Sequence, residues 1–277
     1  MSSPHNAVPL SLSYYTVPEL TPPEAVRVAA ETGCRFVGMR LLHGQPGRDL
    51  LPIMLDAGLR RETLRTLCDT GIQVLDANSA RLLPETEVAA FRPFLEVAAE
   101  LGARHILASA DDPDAARLLE RFAALCDMAS PFGLTVDIEF VPWMAISNLT
   151  RAVEIMRGAG KNNLGIAVDA LHFDRSRSRL LDLAAIPRDR LRYFQICDAP
   201  ADRGDDRARL IHIATKERLL PGEGAIDLVG LLRHLPRRIP VALEIPLAEP
   251  RRSMPARERV ARAVASTLRV LEAAYGV

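Results

Sequence analysis

Short apolar runs alternate with amphipathic stretches along the chain, and the alternation repeats eight times. The apolar runs predict strands over Leu10–Tyr15, Phe36–Leu42, Ile72–Ala77, His105–Ala108, Leu134–Phe140, Gly165–Ala170, Leu191–Cys197 and Val241–Ile245. The stretches with helical spacing predict helices over Pro23–Glu31, Asp56–Thr70, Glu85–Leu101, Asp114–Ser130, Ser147–Ala159, Leu180–Ala185, Asp227–Leu235 and Met254–Tyr275. Thr21 stands where a helix N-cap belongs, with prolines at 22 and 23 and Glu24 in the capping-box place. Gly33 and Gly102 fall just past predicted helix ends, where a left-handed residue is wanted. The segment from Asp198 to Leu220 is polar, rich in Arg and Asp, and reads as the longest non-helical connection. Strand and helix in strict alternation over this length predict an α/β protein, a (β/α)8 TIM barrel forming a single domain over residues 1–277. An open doubly wound sheet would carry a glycine-rich phosphate loop after its first strand; Ser13, Tyr14 and Tyr15 stand there instead.

Composition narrows the function. The 277 residues are 48% hydrophobic and carry a formal net charge of zero, enough to bury a large core but without the basic excess of a general nucleic-acid binder. No apolar run approaches the ~18 residues that cross a membrane. Met1 to Pro9 shows no basic stretch followed by an apolar one, so no signal peptide is expected. Cys34, Cys68, Cys126 and Cys197 are scattered, form no CxxC pair, and read as free thiols of a cytoplasmic protein.

The chemistry enters where the last four strands break the apolar rule. Parallel strands covered on both faces should be continuously apolar. Yet Glu139, Asp169, Gln195 and Glu244 each stand at or near the C-terminal end of a predicted strand. In a barrel those ends converge on one mouth, where active sites sit. Three carboxylates meeting there raise one another's pKa unless a cation joins them. Three carboxylates and an amide oxygen make an all-oxygen donor set, suited to Mg2+ or Mn2+. Asp137, two residues before Glu139, shares its face one layer deeper and reads as an ion-paired support. His172, three residues past Asp169, overhangs the mouth as a substrate contact or proton-transfer group. Selection of substrate falls to the mouth loops, with Tyr15, Arg40, His43, Asn78, Arg81, Ser109, Trp143, Arg203, Lys216 and Arg218 as candidates. Arg40 closes an otherwise apolar strand, and with the Lys216/Arg218 pair it would suit an anionic substrate group. Lys216 and Arg218 read equally well as solvated loop charges.

These segments resemble a known family. Asp169 and His172 look like the D-x-x-H element of the xylose isomerase-like barrel superfamily. Gln195 followed by Asp198 is similar to its seventh-strand element. Gly222 to Asp227 resembles its G-x-G-x-[IL]-[DN] loop, Glu244 with Pro246 its final-strand Glu-x-Pro, and Glu139 its fifth-strand acid. The motifs span residues 133–250. The resemblance implies one divalent ion, Mn2+ or Mg2+ with Co2+ or Zn2+ as substitutes, held by Glu139, Asp169, Gln195 and Glu244. It implies Glu139 and Glu244 as the groups that give and take protons next to a carbonyl, with His172 as a further acid or base. Arg40, Asn78, His172, Arg203, Lys216 and Arg218 are the expected substrate contacts. The family contains sugar isomerases and epimerases, hydroxypyruvate isomerase, 3-dehydroshikimate dehydratase and an abasic-site endonuclease. The implied activity is a sugar isomerase or epimerase acting on a small polyhydroxylated substrate, with a dehydratase as the alternative. Gln at position 195 and the run from Arg218 to Gly224 lean towards the dehydratase. Ala145 and Ala201 replace an acid and an arginine that the epimerases carry, which speaks against simple ketohexose epimerisation. The other five histidines do not supply the endonuclease's zinc pattern, and the four ligand candidates speak against a barrel without catalysis. The expected partner is a small molecule, with no nucleic acid and no membrane; self-association enters only by analogy.

Overall fold

In a computed structural model that describes residues 8–44, 50–203 and 206–276, eight parallel strands close on themselves in sequence order. The strands are β1 (Leu10–Leu12), β2 (Phe36–Arg40), β3 (Gln73–Leu82), β4 (His105–Ala110), β5 (Thr135–Glu139), β6 (Leu164–Asp169), β7 (Leu191–Ile196) and β8 (Val241–Leu243). The seam is sealed by β1 on β8, with Leu10, Ser11 and Leu12 opposite Val241, Ala242 and Leu243. Residues 1–7, which carry the signal-peptide expectation, lie outside the described residues.

The outer layer comprises α1 (Pro22–Glu31), α2 (Pro52–Leu55), α3 (Ala57–Thr70), α4 (Arg92–Glu100), α5 (Ala115–Ala129), α6 (Leu149–Ala159), α7 (Ala170–Arg175), α8 (Leu180–Leu183), α9 (Arg207–Lys216), α10 (Leu228–His234) and α11 (Ala256–Tyr275). Their starts follow local chemistry. The Thr21 N–H donates to Glu24 Oε2 at 2.8 Å, closing the predicted capping box. Asp56, Asp114, Asn148, Asp206 and Asp227 each accept a backbone N–H in the first turn of the helix that follows. Gly71 and Gly160 end α3 and α6 in the left-handed conformation.

Several boundaries differ from the sequence expectation: β3 runs on to Leu82 rather than ending at Ala77, β8 ends at Leu243, and the short helices α2 and α7 were not expected. The connection from Asp198 to Leu220 is not free of helix: it contains α9, capped by Asp206, which buries Ile213 and Ala214. Leu210, Ile213 and Ala214 have the helical spacing, but the surrounding Arg and Asp residues mask it. Strand β1 stops at Leu12 because Tyr14–Thr16 turns into a 3-10 helix. The helix expected from Glu85 begins only at Arg92, preceded by a 3-10 turn over Val88–Phe91.

The barrel interior shows why the site lies where it does. One cluster of buried side chains, Phe36, Leu75, Leu107, Ala167, Tyr193 and Ala242, takes one residue from each of six strands and fills the axis. Side chains two apart on a strand share a face. Ala167, Tyr193 and Ala242 therefore define the inner face on which Asp169, Gln195 and Glu244 follow, one layer nearer the mouth. Asp137 and Glu139 stand in the same relation on β5. Asp137 is fully buried, accepts from Thr135 Oγ1 at 2.9 Å, and has His105 Nδ1 at 3.0 Å and Arg192 Nε at 3.6 Å. The expected ion-paired support is thus what the fold builds beneath Glu139.

Candidate functional site

At the mouth the four strand-end residues converge as the inner-face register requires. Asp169 pairs in register with Gln195 across β6 and β7, and Glu139 with Ala167. Glu139, Asp169 and His172 offer ligand atoms that all lie within 4.8 Å of one another. Glu244 is joined to the group through Gln195, whose Nε2 donates to Glu244 Oε2, and through Ser13, whose hydroxyl donates to the same oxygen at 3.3 Å. Ser13 escaped the sequence reading, because a lone serine at a strand end carries no chemical signal.

Arg218 is the centre's counter-charge. It is 3% exposed, and its Nη1 donates to Asp169 Oδ2 at 2.5 Å and to the Glu244 backbone carbonyl at 3.3 Å. Its Nη2 lies 3.8 Å from Glu244 Oε1, and its Nε donates to the Ala214 carbonyl at 2.8 Å. Of the expected pair, Arg218 is therefore not a solvated loop charge. Asp198 explains how a loop residue reaches this depth. It exchanges backbone hydrogen bonds with Leu219 at 2.9 and 2.8 Å. Its carboxylate accepts from the N–H groups of Ala199, Gly222 and Ile226. The Asp of the seventh-strand motif is thus a clamp on the loop that delivers Arg218.

The electrostatics divide the acids. Burial, then the neighbouring charges of Glu244 and Asp169, push Glu139 up to about 8. Burial likewise raises Glu244. Burial would raise Asp169 too, but Arg218 and His172 outweigh it and hold Asp169 below the usual carboxylate range. Burial pushes His172 down to about 4, so the imidazole is neutral at pH 7. The His172 ring meets Trp143 edge to face at 5.3 Å, its backbone N–H donates to Asp169 Oδ1 at 2.9 Å, and its ring Nδ1 is buried without a partner.

A divalent cation fits this donor set. Gln195 Oε1 is buried and has no hydrogen-bond partner, although its own amide nitrogen is engaged. Leaving such an acceptor unmet costs about 1–3 kcal/mol. Three carboxylates share the mouth with a single paired guanidinium, so one further positive charge would relieve the conflict that keeps Glu139 protonated. The residues able to hold it are Glu139, Asp169, Gln195 and Glu244, with His172 next to them.

Above the cluster lies a pocket of about 100 Å3, lined among others by Tyr15, Arg40, Asn78, Arg81, Ser109, Glu139, Trp143, His172, Arg218 and Glu244. Most of the expected loop contacts meet here. Asn78 Nδ2 is fixed on Asp76 Oδ2 at 2.5 Å. Lys216 and His43 lie outside it, in an adjoining hollow that shares Tyr15. Arg203 is also outside, half exposed and bound to Asp174 Oδ1 at 2.7 Å. It lines a separate hollow with Phe173 and Asp174, which spacing along the sequence could not reveal.

A single barrel with its acids at the C-terminal strand ends defines a class, and the chain belongs to the xylose isomerase-like TIM barrel family, whose profile matches residues 26–271. It is 24% identical over 158 residues to an inosose isomerase of Bacillus velezensis, an alignment covering 53% of this chain and 54% of that protein. It is 27% identical over 217 residues to a 3-dehydroshikimate dehydratase of Pseudomonas aeruginosa, covering 76% of this chain and 30% of that one. The chain thus spans about half the length of the first relative and under a third of the second. Among solved structures it superposes on the IOLI protein with a bound zinc atom, with a TM-score of 0.79, 19% identity, and coverage of 97% of this chain and 100% of that one, a likeness of fold. Among the described residues no helix is long and apolar enough to cross a membrane.

Proposed function

We propose that the chain is a divalent-metal-dependent enzyme of the sugar isomerase and epimerase kind, which removes a proton from the carbon next to a carbonyl in a small polyhydroxylated substrate. The observation that carries this reading is the convergence of Glu139, Asp169, Gln195, Glu244 and His172 on one buried mouth, with the Gln195 carbonyl oxygen unmet. A bound Mn2+ or Mg2+ would polarise substrate oxygens and stabilise the negative charge that develops on them. Glu139 lines the pocket beside the other acids, where it can exchange a proton with the substrate. Glu244 is held in orientation by Gln195 and Ser13, as a group that moves a proton must be. Arg218 keeps Asp169 ionised, so Asp169 is a ligand rather than an acid. Trp143 and Tyr15 wall the pocket against water. The partner in this reading is a small molecule, without nucleic acid or membrane, and self-association of the chain is left to analogy.

A dehydratase is the second reading. The match to the 3-dehydroshikimate dehydratase covers more of this chain than the match to the inosose isomerase. His172, neutral and with an unpartnered Nδ1 beside the pocket, is placed to accept the substrate proton as a base.

The test removes metal with a chelator and returns Mn2+ or Mg2+. Turnover is followed on 3-dehydroshikimate, through the ultraviolet signal of protocatechuate, and in parallel on inososes, ketoses and hydroxypyruvate. Metal-dependent turnover of an inosose, a ketose or hydroxypyruvate, abolished by Glu244→Gln, is the expected result. Turnover of dehydroshikimate alone selects the dehydratase. Full activity after chelation, or absence of any metal binding, overturns both.

A further inference from the structure

The barrel mouth carries charges of both signs, and only one side of it is neutralised. Around β5 to β8 the acids meet Arg218. Across the pocket, Arg40 ends β2 and Arg81 stands near the end of β3, and both line the same hollow. Arg40 and Arg81 each have a buried Nε with no hydrogen-bond partner, and neither guanidinium forms an ion pair with a described residue. The Arg40 guanidinium lies instead 4.7 Å from the centre of the Tyr15 ring and 5.6 Å from that of Tyr14, held by aromatic faces rather than by a carboxylate. Tyr15 stands between the two camps, within electrostatic reach of Arg40 and Arg81 on one side and of Glu244 and Glu139 on the other.

A buried guanidinium nitrogen without an acceptor is an unmet demand, and here it occurs twice in one pocket, on two half-buried arginines. The unmet atom is Nε in both cases. The Nε–Nη edge is a planar fork that matches the two oxygens of a carboxylate. Beyond the Tyr14 and Tyr15 rings on Arg40, neither arginine has an ion-pair partner among the described residues.

We propose that Arg40 and Arg81 form an anion subsite, and that the substrate of this pocket is a hydroxy-carbonyl compound that also bears a carboxylate. The carboxylate sits at the β2–β3 side and the reacting carbons at the acids. This assignment rests on the acid cluster being the reaction centre, and it excludes neutral ketoses as preferred substrates.

The test is calorimetric titration of the full chain, both supplemented with Mn2+ and chelator-treated, with glycerate, its uncharged amide and glycerol 3-phosphate as probes. Glycerate is expected to bind at least about tenfold more tightly than the amide, the scale of one charge-assisted hydrogen bond. Arg40→Gln and Arg81→Gln should each abolish that preference, while Mn2+ binding, read by electron paramagnetic resonance, stays unchanged. Arg40→Lys and Arg81→Lys, which keep the charge and lose the fork, should retain part of it and serve if a Gln variant fails to fold. Equal binding of glycerate and amide, or a preference that survives both Gln changes, overturns the subsite. Tighter, arginine-dependent binding of glycerol 3-phosphate overturns the carboxylate in favour of a phosphate. Failure of the metal reading would show separately, as absent Mn2+ binding, and leaves the preference readable in the chelator-treated chain.

Discussion

Replacing Arg218 by Met tests the electrostatic account of the mouth most directly. Met fills much of the volume of the arginine stem but removes the charge. In the metal-free chain the change strips Asp169 of a 2.5 Å ion pair and Glu244 of a cation at 3.8 Å, and leaves the three carboxylates with no paired counter-charge. Breaking a buried pair from one side costs about 3–5 kcal/mol. Asp169 keeps the His172 N–H at 2.9 Å, so the lower end, about 3 kcal/mol, is expected. The loss must depend on pH. Without the guanidinium the folded carboxyls hold protons more tightly than the unfolded ones do, so the variant's stability falls as pH rises and its deficit shrinks as pH is lowered. Urea unfolding followed by Trp143, the only tryptophan in the sequence and in contact with His172, reads this at pH 8 and pH 5.5. Mn2+ at a hundred times its Kd should return about 2.7 kcal/mol. A deficit under about 1 kcal/mol at pH 8, or the same deficit at both pH values, would show that Arg218 is not the counter-charge of the acids.

Two further outcomes follow from the geometry. Glu139, about 8 when folded against an ordinary 4.5, binds its proton more tightly in the folded state, so metal-free stability should decline as pH rises towards 8. The decline should be plain between about pH 7 and 8, where His172 is largely neutral both folded and unfolded, and should vanish in Glu139→Gln; a melting temperature flat across that window refutes it. Gly224→Ala drives a Cβ into the Ala199 carbonyl and the Asp198 carboxylate, at a cost of about 1–3 kcal/mol, and by loosening the Asp198 clamp should weaken Mn2+ binding as well; an unchanged urea midpoint would contradict the clamp.

The alternation of apolar runs with helical stretches was enough to specify an eight-stranded parallel barrel, because each strand must be covered on both faces and each helix must bury one stripe. The same rule exposed the candidate site. A carboxylate at the end of an otherwise apolar strand is costly, and the strand-end positions of Glu139, Asp169 and Glu244 put all three at one mouth. Other features were illegible along the chain. Arg218 lies in a polar stretch like any surface arginine, and only the Asp198 clamp and the packing of α9 carry it into the core. Asp76 is not among the candidates that the sequence offered, yet it lies buried beside Asn78. Arg203 and Lys216 resemble Arg40 in sequence terms, yet they lie outside the pocket. Strand-end residues are placed by the period of the strand and the closure of the barrel, both of which local pattern encodes. Loop residues are placed by contacts between segments remote in sequence, and those exist only once the chain has folded.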